Sequence, residues 1–297
     1  MLSILIPTYN YDCTHLVKDL QQQAEQIGIN YEIIVADDAS PITIYRERNR
    51  EIDTLPHCRF IELPENVGRA RIRNRLADEA QYTWLLFMDA DAEVISPTFI
   101  IKYLHAITDT TSVICGGLCH ADNLPSPEVS LRYAYEKRAD KQRAAYYRKK
   151  SPYAHFITFC FMVRSDIFHA IRFDESITEY GHEDTLFGIE LERKKVNICH
   201  IDNPMQQGGI ETNEEFLDKT HASIRNLAQK EETFLSHSML IKTYRFLHRL
   251  RITKLLARYY AHHGTSLISH LCSKRPHLGL FFLYKLAYYC HVKDEEK

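Results

Sequence analysis

The chain is 297 residues long, 45% hydrophobic and 26% charged, which excludes disordered, collagen-like and low-complexity chains and leaves a globular protein able to bury a sizeable core. The formal net charge of −2 is unevenly spread: residues 241–297 hold eleven Lys/Arg against three acids, a balance of +8 that leaves −10 for residues 1–240. An acidic body with a basic tail piece, and no recognition motif, argues against nucleic acid as a partner.

Short apolar or β-branched runs, bounded by turn residues, alternate with stretches of helical period. The runs predict strands over 2–6, 31–36, 57–62 and 83–88. Helices are predicted over 13–27, where Leu16, Leu20, Ala24 and Ile27 recur at helical spacing, and over 67–80, where Ile72, Leu76 and Ala80 do. The order β-α-β-α-β-α-β is that of a wound α/β sheet, in which ligands bind beyond the carboxyl ends of the strands.

Those ends are polar in the same way. The first strand runs into Pro7-Thr8-Tyr9-Asn10, the second into Asp37-Asp38-Ala39-Ser40 and the fourth into Asp89-Ala90-Asp91, while Asn66-Val67-Gly68-Arg69 opens the helix after the third. Ser40-Pro41 also reads as a helix entry, with Ser40 as cap. Asp89 and Asp91 follow a continuous apolar run, Trp84 to Met88, and two carboxylates so placed repel unless a cation or donors hold them. A hard divalent ion, Mg²⁺ or Mn²⁺, takes such carboxylates together with substrate phosphate oxygens. There is no P-loop and no GxGxxG, so kinase-type and dinucleotide readings lack their main support.

Together with Glu65 to Asn74 and Val35 to Ser40, these motifs resemble glycosyltransferase family 2 over about residues 1–235. The resemblance implies the α/β GT-A fold, a wound mixed sheet with flanking helices. It also implies a nucleotide-sugar donor, a divalent cation (Mn²⁺ or Mg²⁺) and inversion at the anomeric carbon. By motif position Asp38 would contact the base, Pro7, Thr8, Tyr9 and Asp89 the nucleoside, and Asp91 the metal, with Asp89 beside it. Asn66 and Arg73 would line the nucleotide pocket, while Arg69 and Arg71 read as solvated helix charges.

In the second half, Phe159 to Phe168 resembles the family's strand and helix beside the donor sugar. In the stretch Glu179 to Gly188, Gly181 allows a tight turn and Glu183-Asp184 opens a helix. The resemblance makes Asp184 the base that accepts the acceptor hydroxyl's proton, with Glu183 bonding acceptor hydroxyls. His182 reads as structural. Where the relatives carry a metal-completing histidine after an Asn-Pro turn, this chain has Gln207, which can offer a carbonyl oxygen as a weaker, neutral ligand.

The expected division is a catalytic domain over 1–235, with a nucleotide-binding half (1–118) and an acceptor-binding half (119–235), followed by a helical extension over 236–297. Residues 241–291 contain no acid, and their Lys/Arg are interleaved with Leu, Ile, Phe and Tyr, a pattern suited to an anionic membrane surface or to a packed helical subdomain. Eight cysteines without a CxxC pair, no basic leader and no apolar run of membrane-spanning length point to a cytoplasmic protein, peripheral at most to the membrane. The reading is an inverting hexosyltransferase that moves a sugar, from UDP-sugar first, to a hydroxyl of a glycan or lipid-linked acceptor in bacterial surface polysaccharide synthesis. The alternatives are a sugar nucleotidyltransferase, and a nucleotide-binding scaffold made inactive by Gln207.

Overall fold

The computed structural model describes residues 1–140, 142–176 and 180–296. Its strands are β1 (Leu2–Thr8), β2 (Tyr31–Asp37), β3 (Cys58–Glu62), β4 (Trp84–Met88), β5 (Ala92–Glu93), β6 (Val113–Cys115), β7 (Leu118–Cys119), β8 (Cys160–Arg164), β9 (Ile198–His200) and β10 (Met205–Gln207). The first seven helices are α1 (Thr14–Ile27), α2 (Thr43–Asn49), α3 (Arg69–Glu79), α4 (Phe99–His105), α5 (Ser130–Asp140), α6 (Ala145–Arg148) and α7 (Ser165–Ile171). They are followed by α8 (Glu183–Arg193), α9 (Asn213–Gln229), α10 (Glu231–Phe234), α11 (Met239–Arg249), α12 (Thr253–Leu271) and α13 (Leu278–Glu295).

The chain divides into two compact units. The first comprises Met1–His120, Asp140–Thr178 and Glu183–Gly209, and the second Ala121–Ala139, Glu179–His182 and Ile210–Lys297. Helix α9 packs on α13, and residues 121–139 belong with them to the second unit.

In the first unit seven strands form a mixed sheet in the order β3-β2-β1-β4-β8-β6-β9, with β8 antiparallel to both its neighbours. Alternation in β1 explains the layering. Ile4 and Ile6 pack with Leu16, Val17 and Leu20 of α1, while Leu5 points to the other face with Ile72 and Leu76 of α3, so both faces of the sheet are covered. Helix α1 ends at Gly28, whose left-handed φ of 71° lets its N–H close on the carbonyls of Ala24 and Glu25. A second sheet, β5-β10-β7, is small but positions a large part of the site.

The second unit is helical. Its core gathers Leu131, Phe216, Leu217, Leu267, Leu271, Phe281 and Tyr284. Helix α9 opens with a reciprocal cap in which Thr212 accepts from the Glu215 N–H and Glu215 accepts from the Thr212 N–H. Among the described residues all eight cysteines are free thiols, and no helix is long and apolar enough to cross a membrane.

Candidate active site

The carboxyl ends of β1 and β2 are stitched together by their own polar side chains. Asp38 donates its N–H to the Thr8 carbonyl at 2.9 Å, and Thr8 donates its hydroxyl to the Tyr11 carbonyl at 3.1 Å. Asp37 is fully buried, with its carboxylate accepting from the Ser40 N–H (2.8 Å) and hydroxyl (2.5 Å). Ser40 in turn accepts from the Asn10 N–H at 2.7 Å. Ser40 is thus turned back onto the strand end rather than capping a helix, and α2 begins later, at Thr43. Tyr9 stands half exposed beside this knot, as an aromatic surface a nucleoside could meet.

Asp38 carries the next link. Its two carboxylate oxygens accept from the N–H groups of Val67 (2.7 Å) and Gly68 (3.0 Å), and Asn66 donates its amide to the Asp38 carbonyl at 3.0 Å. The turn into α3 is therefore built on Asp38. Gly68 there has φ 84° and ψ 165°, a conformation that favours glycine.

Helix α3 then delivers two arginines to the end of β4. Arg73 is buried, with 2% of its surface exposed, and its guanidinium bonds Asp89 at 2.5 Å. It meets the strand end through that carboxylate rather than as an open pocket wall. Arg69 reaches the second Asp89 oxygen at 3.4 Å and also pairs with Glu183 at 2.7 Å. The expectation of a merely solvated Arg69 is corrected here: its charge sits between Asp89 and Glu183, while Arg71 pairs at the surface with Glu175.

Glu183 and Asp184 open α8. Burial raises the Asp184 carboxyl, the adjacent Glu183 charge raises it further, and it is pushed up to about 6 despite two bonds from Thr185. For Glu183 the same burial is outweighed by Arg69 and Arg73, which hold it below the usual carboxylate range. One of two adjacent acids is kept ionised, and the other is poised to take a proton near neutrality. His182 turns elsewhere, its ring nitrogen bonded to the Ser223 hydroxyl at 2.8 Å. Glu179 lies outside the described residues.

The small sheet brings together the remaining residues. Strand β10 pairs antiparallel with β5, Gln207 opposite Ala92, so that Gln207 lies beside Asp91, and the Gly208 N–H bonds the Asp91 carbonyl at 2.8 Å. On its other edge β10 runs parallel to β7, Gln206 opposite Cys119, which brings His120 alongside Gln207. A bonded line results: Gln207 donates its amide to Asp91 at 3.1 Å, its carbonyl faces His120 Nε2 at 3.1 Å, and His120 Nδ1 faces Asp140 at 3.1 Å. Gly209 leaves room at Asp91, for a Cβ there would stand 3.5 Å from its carboxylate. Tyr11 lies on the same side, its hydroxyl pushed up by burial and by the charges of Asp91 and Glu93.

This donor set fits a hard divalent ion sparingly. Asp91 supplies a carboxylate and Gln207 an amide whose oxygen and nitrogen exchange by a half-turn of the side chain, either of which His120 can hold, according to its tautomer. Among the described residues no three His, Cys, Asp or Glu gather as a metal cluster, so an ion would complete its shell with phosphate oxygens and water. Asp89, expected as a second ligand, has its oxygens on Arg73 and Arg69.

The residues that sequence reasoning missed are His120, Asp140 and Tyr11. No local pattern marks them, since they reach the site through strand pairing or chain reversal.

The model of the family "Glycosyl transferase family 2" matches residues 3–172. Among curated proteins the chain is 28% identical over 184 residues to a teichoic acid poly(glycerol phosphate) polymerase of Staphylococcus epidermidis, covering 60% of this chain and 24% of that one. It is 30% identical over 115 residues to an uncharacterized glycosyltransferase of Haemophilus influenzae, covering 38% and 36%. The matches thus span between a quarter and about a third of those relatives' lengths. Among solved structures, the mannosyltransferase PcManGT of Pyrobaculum calidifontis, in complex with GDP-Man and Mn²⁺, superposes with a TM-score of 0.58 at 13% identity, covering 99% of this chain and 86% of that one. TarS 1-349 of S. aureus in complex with UDP superposes with a TM-score of 0.50 at 14% identity, covering 99% and 90%. The four strand-end motifs, the mixed sheet that carries them and the family match over more than half the chain agree: this chain belongs to glycosyltransferase family 2 and has the GT-A fold.

Proposed function

We propose that the protein transfers a hexosyl group from a nucleoside diphosphate sugar, a UDP-sugar first, to a hydroxyl of a glycan or lipid-linked acceptor, with inversion, in the synthesis of a bacterial surface polysaccharide. The observation that carries this reading is Arg69, bonded to both Asp89 and Glu183, which ties the acidic end of β4 to the paired acids of α8. A nucleotide-binding protein with no transfer chemistry has little use for an acid pushed up to about 6 beside one that Arg69 and Arg73 hold below the usual carboxylate range.

In the proposed reaction the acceptor oxygen attacks the anomeric carbon while Asp184 takes the hydroxyl proton. The bond from that carbon to the diphosphate breaks, and its electron pair leaves with the diphosphate. Glu183, fixed by Arg69, accepts from a neighbouring acceptor hydroxyl and orients it. Pro7 to Tyr9, Asn66 and the knot around Asp38 seat the nucleoside. Arg73 acts at one remove, by holding the Asp89 side chain in place through their ion pair. Asp91, with Gln207 as a weaker ligand, would hold a divalent cation, which when bound would supply charge neutralisation for the departing diphosphate. The neighbours solved with UDP and with GDP-Man and Mn²⁺ support a nucleotide donor and a divalent ion on this fold. The teichoic acid polymerase relative supports a place in cell-surface polymer synthesis.

The test is a panel of nucleotide sugars screened by thermal shift with and without Mn²⁺, followed by incubation with acceptor and determination of the released nucleotide and of the product's anomeric configuration. Release of UDP with an inverted linkage is the expected result. Release of pyrophosphate would identify a nucleotidyltransferase instead, and nucleotide binding with neither hydrolysis nor transfer would identify a scaffold.

A further inference from the structure

Helix α11 is apolar on two opposite faces. Ile241 and Tyr244 are buried, whereas Met239, Phe246 and Leu250, seven and four residues apart and so stacked on one face, are 72%, 61% and 53% exposed. The turn into α12 adds Ile252 and Leu255, the latter 68% exposed. Helix α11 and the start of α12 thus leave five large apolar side chains in water, a concentration that soluble surfaces ordinarily avoid.

The charges around them are of one sign. Arg249, Arg251, Lys254 and Arg258 are exposed and have no acidic partner among the described residues, whereas the inward Arg245 is paired with Glu231 and Glu232. No acid occurs between 241 and 291, so the patch carries nothing to repel an anion. Arg251 itself adopts a left-handed φ of 61°, and its N–H closes the end of α11 on the His248 carbonyl.

A groove for a protein partner would mix signs or offer a concave apolar seat. Exposed apolar side chains flanked in the chain by cations without acidic partners are instead complementary to an anionic bilayer surface, where the side chains enter the acyl boundary and the cations meet phosphate. We infer that the α11–α12 segment is a membrane-docking element that inserts Phe246, Leu250 and Leu255 into the interface of an anionic bilayer while Arg249, Arg251, Lys254 and Arg258 bind its headgroups. The inference is independent of the transfer reaction, because vesicle binding requires neither donor nor metal.

The test is co-sedimentation of the full chain with vesicles of phosphatidylcholine alone and of phosphatidylcholine with phosphatidylglycerol, over a range of salt. Binding to the anionic vesicles that weakens with salt is expected, since the surface field reaches only about 8 Å at physiological ionic strength. Replacing Arg251 and Lys254 by Ser should weaken partition about fivefold per cation removed. Phe246→Ser with Leu255→Ser should weaken it at every salt concentration while leaving thermal melting unchanged, the side chains being exposed. The salt titration of the unaltered chain carries the test if a variant fails to fold. Equal binding to both vesicles, binding to neither, or indifference to all four substitutions would overturn the inference. So would concentration-dependent pairing of the chain, in light scattering, that Phe246→Ser abolishes while vesicles remain unbound.

Discussion

Burial acts alike on Glu183 and Asp184 and yields opposite outcomes, because the guanidinium groups of Arg69 and Arg73 stabilise the first charge and the first charge then opposes the second. A base held up to about 6 must be ionised to work, so kcat/KM should climb through about pH 6 and level off above it. A profile flat across that range would remove Asp184 from the role. The same shift has a consequence for stability. The folded value lies above the ordinary 3.8, so the protonated acid is the form the fold favours; its contribution is full below 3.8 and is lost as pH rises through about 6. Asp184→Asn should therefore raise Tm at pH values above that range and change it little below, as calorimetry would show.

At Gln207 the predictions turn on metal affinity. His120 orients the amide, and loss of such a supporting residue typically costs about 10–100-fold in affinity. His120→Ala should lower Mn²⁺ affinity of the nucleotide complex by that order in electron paramagnetic resonance titration, whereas Gln207→His should raise it, Mn²⁺ accepting imidazole nitrogen. An unchanged titration in both variants would place the ion elsewhere. The contrast between Gln207 and His120 also shows what is legible in a sequence. The strand-end motifs and Gln207 could be read because each is a short string after a recognisable strand. His120, one of 16 histidines, becomes part of the site only through the register of β7 on β10, and Arg69 looks like any helix charge until Glu183 is brought to it from over a hundred residues away.

Among elements, the predicted strands 2–6, 31–36, 57–62 and 83–88 correspond closely to β1–β4, since continuous apolar runs between turn signals have few other uses. Period alone drew the helix over 67–80, whereas α3 starts at Arg69 because Asp38 takes the Val67 and Gly68 N–H groups and holds the preceding residues as a turn. That entry can be tested. Gly68→Ala, at φ 84°, should cost about 1–3 kcal/mol of stability in denaturant unfolding and weaken nucleotide binding by loosening the turn on Asp38. Full stability in the variant would show that the turn tolerates a side chain at position 68. The two-residue β5 and β7 were invisible to periodicity, for a strand that short carries no alternation.

For the whole molecule, charge asymmetry was legible and the gathering of residues 121–139 with the C-terminal helices was not. Composition separates the basic 241–297 from the acidic remainder, but the recruitment of 121–139 to the helical unit depends on Leu131 packing with Phe216 and Phe281, contacts between residues far apart in the chain. The central claim is that a GT-A glycosyltransferase scaffold uses Asp184 as the base for sugar transfer. Its most direct test is turnover and donor affinity measured side by side for the unaltered protein and Asp184→Asn, with the best UDP-sugar, Mn²⁺ and acceptor. The amide keeps the volume but cannot take the proton, so turnover should fall about 10²–10⁴-fold while calorimetric UDP affinity stays nearly the same. Near-normal turnover by Asp184→Asn, with the nucleotide still bound, would contradict the assignment and pass the base to another group, Glu183 first.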